Sequence, residues 1–279
     1  MSTMIKMVRA LTAAAAIAVA APAMAAGGGV TIDRQQWSFS GPFGTFDRGQ
    51  LQRGFKVYQE VCAACHGLRQ IAFRNLAEEG GPSFSEEQVK VIASDYTVVD
   101  GPDDAGDMFE RPAVLADKWP SPFPNEQAAR ASNGGAYPPD FSLLAKARAA
   151  YRGFPWFIFD AFTQYQEQGP DYIYALLTGY HEAPADVVVP DGQYYNPNFL
   201  AGNFIGMAPP LSDELVEYTD GTPMTTEQYS RDVSAFMMWA AEPHLEARKK
   251  LGFRVMIFLI VFAGLLYFTK KTLWRNVEH

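Results

Sequence analysis

The run Cys62-Ala63-Ala64-Cys65-His66 constrains this chain more than any other feature. C-x-x-C-H is the attachment sequence for a c-type haem. Two thiols add to the vinyl groups of the porphyrin, and the adjoining histidine comes to lie under the iron as its proximal ligand. The chain has two cysteines, and the motif uses both, so none is left for a disulfide. A thioredoxin-type C-x-x-C needs a strand–helix–strand context, which the flanking sequence lacks. A zinc site needs a second Cys/His pair at knuckle spacing, and that is missing.

The sixth iron position is open to Met108, Met207, Met224, Met237, Met238, Met256, His181, His244 and His279. Met207 stands out in Gly206-Met207-Ala208-Pro209-Pro210. The glycine permits close approach to a ring, and the prolines fix the backbone that follows. A thioether opposite histidine raises a haem potential, as a high-potential electron carrier requires. Met237 and Met238 lie on a helical apolar stripe and read as core.

Both ends read as membrane signals. Lys6 and Arg9 precede an Ala-rich apolar stretch, and Ala23-Met24-Ala25 is an A-x-A cleavage site, so residues 1–25 read as a secretory signal peptide. Residues 251–269 hold one charge, Arg254. A span needs about 20 apolar residues, and an arginine one turn inside can snorkel to the interface. Basic residues flank both sides, so loop charge does not set orientation. The signal peptide does. It puts a haem domain (residues 26–247) in the periplasm, an anchor helix at 248–270 in the bacterial inner membrane, and a tail (271–279) in the cytoplasm.

The full chain carries a net −8, but residues 26–247 hold 14 Lys+Arg against 30 Asp+Glu, a net −16. That argues against nucleic acid as a partner. It suits either simple solubility or the steering of a soluble basic partner. An apolar fraction of 48% excludes a disordered chain. The coarse pattern predicts a helix over 47–64, a short helix over 140–150, another over 170–178, and a long one from Thr225, whose Thr-Thr-Glu-Gln start matches a capping box. Pro243 reads as a kink before the span. Residues 80–140 and 183–224 read as loops, with extended pieces near Val187 and Tyr194. The fold class is therefore mostly α with long loops, a c-type cytochrome domain plus one C-terminal transmembrane helix. A loop-rich domain without disulfides needs a large buried cofactor to organise it.

With these motifs in place, the chain resembles the cytochrome c1 family, haem subunits of the cytochrome bc1 complex (ubiquinol–cytochrome c oxidoreductase), in its bacterial form. Several runs in family order carry the resemblance: Arg53-Gly54-Phe55 through His66, NGGAYPPDFSLLAKAR (133–148), DYIYALLTGY (171–180), YYNPNF (194–199), IGMAPPL (205–211) and DVSAFMMWAAEP (232–243). The resemblance implies that Cys62 and Cys65 hold one covalent haem c. It implies His66 and Met207 as axial ligands and Arg148 and Tyr172 as partners of the haem propionates. Asn133 and Pro139 would line the pocket. It implies electron transfer from a Rieske iron–sulfur protein to a soluble basic-faced cytochrome c. The chain would sit beside a cytochrome b subunit and membrane lipid, in a complex that is a homodimer. The chain would not be catalytic alone. A free-standing tethered carrier and a haem enzyme with an open iron position are the competing readings. Residues 151–169 depart from the mitochondrial pattern, and the aromatics there read as a small local core, with a subunit- or membrane-facing contact as the alternative.

Overall fold

The computed structural model describes residues 30–150 and 152–276. The signal sequence read at 1–25 and His279 lie outside the described residues. The first helix, α1 (Arg48–Val57), starts where the Asp47 side chain accepts the Gln50 amide at 2.7 Å. Leu51 and Phe55 are buried, as the periodicity predicts. The helix does not run on to 64, however. Tyr58–Cys62 forms a widened π-type turn, closed by the Ala63 amide on the Tyr58 carbonyl at 2.8 Å. Such turns break helical register and gather at functional sites.

The predicted C-terminal helix is α7 (Thr226–Ala241). The Thr225 hydroxyl accepts the Gln228 amide at 3.3 Å, but the Gln228 side chain turns to Asp232 instead of back to the cap, so only half of the expected box forms. Val233, Phe236, Met237, Met238 and Ala240 are all buried.

Helices α1 and α7 cross at Gly54. A Cβ there would stand 2.1 Å from the Asp232 carbonyl oxygen and 2.8 Å from the Phe236 Cβ. Beside this crossing the buried Asp232 carboxylate accepts from Arg53 Nε (2.9 Å), Gln228 Nε2 (2.8 Å) and the Tyr218 hydroxyl (3.0 Å). A buried charge is tolerated when it is paired and hydrogen-bonded in this way.

The stretch 80–140 holds more regular structure than its composition suggests. It contains α2 (Glu86–Ser94), an antiparallel hairpin of β1 (Thr97–Asp100) and β2 (Phe109–Pro112) with Thr97 opposite Pro112, and α3 (Glu126–Ser132). These elements are short and bury few side chains, so they leave no strong periodic trace. After a 3₁₀ turn (Phe141–Leu143) come α4 (Leu144–Ala147), α5 (Trp156–Thr163) and α6 (Gln168–Thr178). β3 (Tyr194–Tyr195) pairs with β4 (Phe204–Ile205), Tyr194 opposite Ile205. The extended piece expected near Val187 is not a strand. Helices dominate the described residues and long loops join them, as expected.

Pro243 ends α7 rather than kinking it, because proline removes a backbone donor and clashes with the preceding turn. A new helix, α8 (Leu245–Leu273), follows after three residues. Its 29 residues are about 44 Å long at 1.5 Å per residue. Its apolar stretch is wholly exposed, so it is no core helix, and its length and composition fit a membrane crossing. The head of α8 is bonded to the domain. Lys249 Nζ donates to the Phe39 carbonyl at 2.6 Å, and Glu246 accepts the Phe46 amide at 2.9 Å.

The aromatic segment at 151–169 corrects an expectation. The rings of α5 form no local core: Trp156, Phe157, Ile158, Phe159 and Phe162 are all exposed, and the one buried residue of that helix is Asp160.

Gly54→Ala should destabilise the chain by about 1–3 kcal/mol, because two backbones must separate to admit the methyl group. Denaturant unfolding of the purified protein checks this. An unchanged midpoint would show that the crossing has slack.

Candidate haem site

The C-x-x-C-H run leaves the π-type turn as a tight loop. The Cys65 amide bonds the Cys62 carbonyl at 3.1 Å, and the His66 amide bonds the same carbonyl at 2.9 Å. Cys62 and Cys65 are both partly buried. Before haem is attached, burial and then the neighbouring Cys65 push the Cys62 thiol up to about 12.

The segment after the motif is bonded to residues 139–142. The Phe141 amide donates to the Gly67 carbonyl at 2.8 Å, the Gln70 amide to the Ser142 hydroxyl at 2.9 Å, and the Arg69 amide to Asp140 at 3.1 Å. This pairing brings the Pro139 carbonyl to His66 Nδ1 at 2.8 Å. A carbonyl can only accept, so Nδ1 carries the proton and Nε2 keeps its lone pair. Phe141 stacks on the imidazole with ring centroids 4.2 Å apart, and the Tyr58 hydroxyl donates to the His66 carbonyl at 3.1 Å. Burial lowers the His66 pKa, with the Pro139 carbonyl and Asp140 partly opposing it, so the neutral imidazole is favoured. A neutral, oriented imidazole with a free Nε2 is what a metal-ligating histidine requires.

A second wall is built on α6. The Tyr180 hydroxyl donates to the Met207 carbonyl at 3.1 Å, tying the half-buried Met207 loop to the end of that helix. Tyr172 is buried on α6, and its hydroxyl pKa is raised by burial and eased by the Leu200 backbone and by Arg148. Arg148, exposed at the C-cap of α4, therefore lies within electrostatic reach of Tyr172. Helix α4 meets α6 closely: a Cβ at Gly169 would stand 1.5 Å from the Ala145 carbonyl oxygen. The two walls meet where a Cβ on Gly206 would lie 3.2 Å from that of Ala136. Asn133 caps α3, its amide donating to the Ala129 carbonyl at 2.7 Å.

Thus the structure gathers Cys62, Cys65, His66 and Pro139 on one side. Met207, Tyr172 and Arg148 are linked through Tyr180 and α6 on the other. Asn133 sits at the end of α3, in the loop that leads to Ala136 and Pro139. Beyond the pocket position expected of it, Pro139 has a carbonyl that orients His66. Tyr58, Phe141 and Tyr180 escaped sequence reasoning. The only available signal was the Pro138-Pro139 pair, whose fixed, extended backbone leaves a carbonyl free to accept.

Tyr180→Phe deletes one half-buried hydrogen bond on the Met207 loop and should cost about 0.5–1.5 kcal/mol. A lowered thermal midpoint checks this. No change would show that the loop is held by other contacts.

The family model described as the Cytochrome C1 family matches residues 37–277. A cytochrome b/c1 of Bradyrhizobium diazoefficiens is 66% identical over 242 residues, which are 86% of this chain and 35% of that longer protein. The chain thus spans about a third of the length of that relative. Cytochrome c1 of Blastochloris viridis is 48% identical, covering 100% of this chain and 99% of its own. Cytochrome c1 of Rhodospirillum rubrum is 44% identical with both chains covered in full (100% each). The match takes in the C-x-x-C-H turn, both walls of the site and the apolar helix, and on it the chain belongs to the cytochrome c1 family, whose members carry a covalent c-type haem.

Proposed function

We propose that this chain is the haem-bearing electron-transfer subunit of a quinol–cytochrome c oxidoreductase. It takes one electron at a time from a Rieske iron–sulfur protein and passes it to a soluble cytochrome c. The single observation that carries the reading is the C-x-x-C-H turn, whose histidine has Nδ1 engaged by Pro139 and Nε2 free. When bound, haem c supplies reversible one-electron chemistry at its iron. Cys62 and Cys65 would hold it through thioethers, and His66 and Met207 would bind its iron. Arg148 and Tyr172 would meet the propionates, where charge-assisted bonds offset the cost of burying a carboxylate. Asn133 and Pro139 would flank the pocket.

The chain's own residues bind, orient and exclude water. Pro139 and Phe141 fix the imidazole plane. Tyr180 steadies the Met207 loop. Residues 26–247 would face the periplasm, 248–270 would cross the inner membrane and 271–279 would end in the cytoplasm, with residues 1–25 removed on export. The complex would contain a cytochrome b subunit and be a homodimer. A freely swinging tethered carrier fits less well. The head of α8 is bonded to the domain through Lys249 and Glu246, and the Glu242 carboxylate clasps both Lys146 and Arg248.

Met207→Leu should leave the haem covalently attached and lower its potential sharply, because the thioether ligand is lost. Redox titration checks this. An unchanged potential would assign the sixth position to another residue. Electron transfer to a soluble basic-faced cytochrome c should slow as salt rises from low to physiological ionic strength, because a Debye length of about 8 Å at 0.15 M screens the acidic domain. Stopped-flow kinetics that stay flat with salt would remove the steering role of the net −16 charge.

A further inference from the structure

Helix α5 is built inside out. A helix on a globular surface turns its apolar stripe to the core. Here Asp160 is buried and paired with Arg152, while Phe162 is 83% exposed and Trp156, Phe157 and Phe159 are at least half exposed. Just before the helix, Phe154 is 78% exposed. The outward face therefore carries rings and no charge, since the helix's one carboxylate is neutralised on the inner side. Aromatic side chains on an uncharged face match the headgroup boundary of a bilayer, where ring bodies are buried at little desolvation cost.

The position of the helix supplies the occupant. After α5 the chain returns to the domain at Tyr165, whose hydroxyl donates to the buried Asp171, and at Glu167. Burial raises the Glu167 pKa, and Lys249 at the head of α8 is among the charges that oppose the rise, so the two lie within electrostatic reach. Lys249 stands one turn above Phe253 in α8. Phe253 meets the ring of Phe43 at 5.4 Å, and Phe43 is itself an exposed aromatic of the domain. The domain thus already places one exposed ring beside the first apolar turn of the anchor. Phe162 and Glu167 are five positions apart, a reach of at most about 18 Å.

We propose that α5 lies on the bilayer surface, its ring face seated in the phospholipid headgroup region, as a second membrane contact beside the anchor. This rests on reading α8 as a membrane span. Two contacts on one face would fix the tilt of the domain over the membrane as well as its height.

The test is photocrosslinking in native membranes, with p-benzoyl-phenylalanine placed singly at Phe162, Phe154, Phe258 and Tyr194 of the full-length chain. Retained covalent haem in each variant shows that it is folded. Phe258 lies in the apolar stretch of α8. Tyr194 lines a cavity with Thr226 and Glu227 at the other end of α7, about 22 Å along that helix from Ala241. Phospholipid adducts at Phe162 or Phe154, about tenfold above the level at Tyr194, are expected for an interfacial helix. Adducts to a protein chain at these positions would overturn the proposal in favour of a subunit contact. No excess over Tyr194, with lipid adducts still formed at Phe258, would overturn it while leaving the anchor in place. Loss of lipid adducts at Phe258 as well would remove the anchor reading and the proposal together.

Discussion

At Gly54 the backbone of α1 lies against the backbone of α7 at Asp232, with no room for a methyl group between them. That contact fixes how α1 and α7 lie against each other. Helix α1 delivers the C-x-x-C-H turn at its C-terminal end, and α7 leads to the apolar helix α8. The close crossing therefore holds the haem turn at a set place relative to the anchor. The buried Asp232 carboxylate, met by Arg53, Gln228 and Tyr218, locks the angle because a buried charge tolerates little slippage from its partners.

From that frame the site is assembled by backbone groups as much as by side chains. The bonds from Gly67, Arg69 and Gln70 to residues 140–142 carry no redox chemistry. Their effect is to present one carbonyl, that of Pro139, to His66. The tautomer of the imidazole follows from that carbonyl, and the availability of Nε2 follows from the tautomer. On the opposite wall a tyrosine hydroxyl on the Met207 carbonyl plays the matching part. An electron carrier gains from such stiffness, since small displacement of its ligands keeps the cost of changing oxidation state low.

The sequence was most legible where the chemistry is local. Cys62, Cys65 and His66 follow one another, and Thr225 with the stripe from Val233 to Ala240 announces α7 directly. The apolar run of α8 is equally plain. What stayed hidden depends on pairing across the chain. Nothing near Pro139 in sequence says that its carbonyl faces a residue 73 positions away. The π-type turn at Tyr58–Cys62 cannot be seen in a pattern that suits an α-helix equally well. The aromatics of α5 suggest a local core because large rings are usually buried, yet the one buried residue of that helix is a carboxylate. The hairpin and short helices of 80–140 bury too little to leave a periodic mark.

A single-haem domain fixed in a quinol-oxidising complex would bring the b-type haems of that complex with it. The most direct test is to purify this chain through a tag in mild detergent and record a reduced-minus-oxidised spectrum of what accompanies it. The account predicts c-type and b-type haem bands together in constant ratio. A c-type band alone, from membranes in which an intact bc1 complex is known to survive the same detergent, would contradict it.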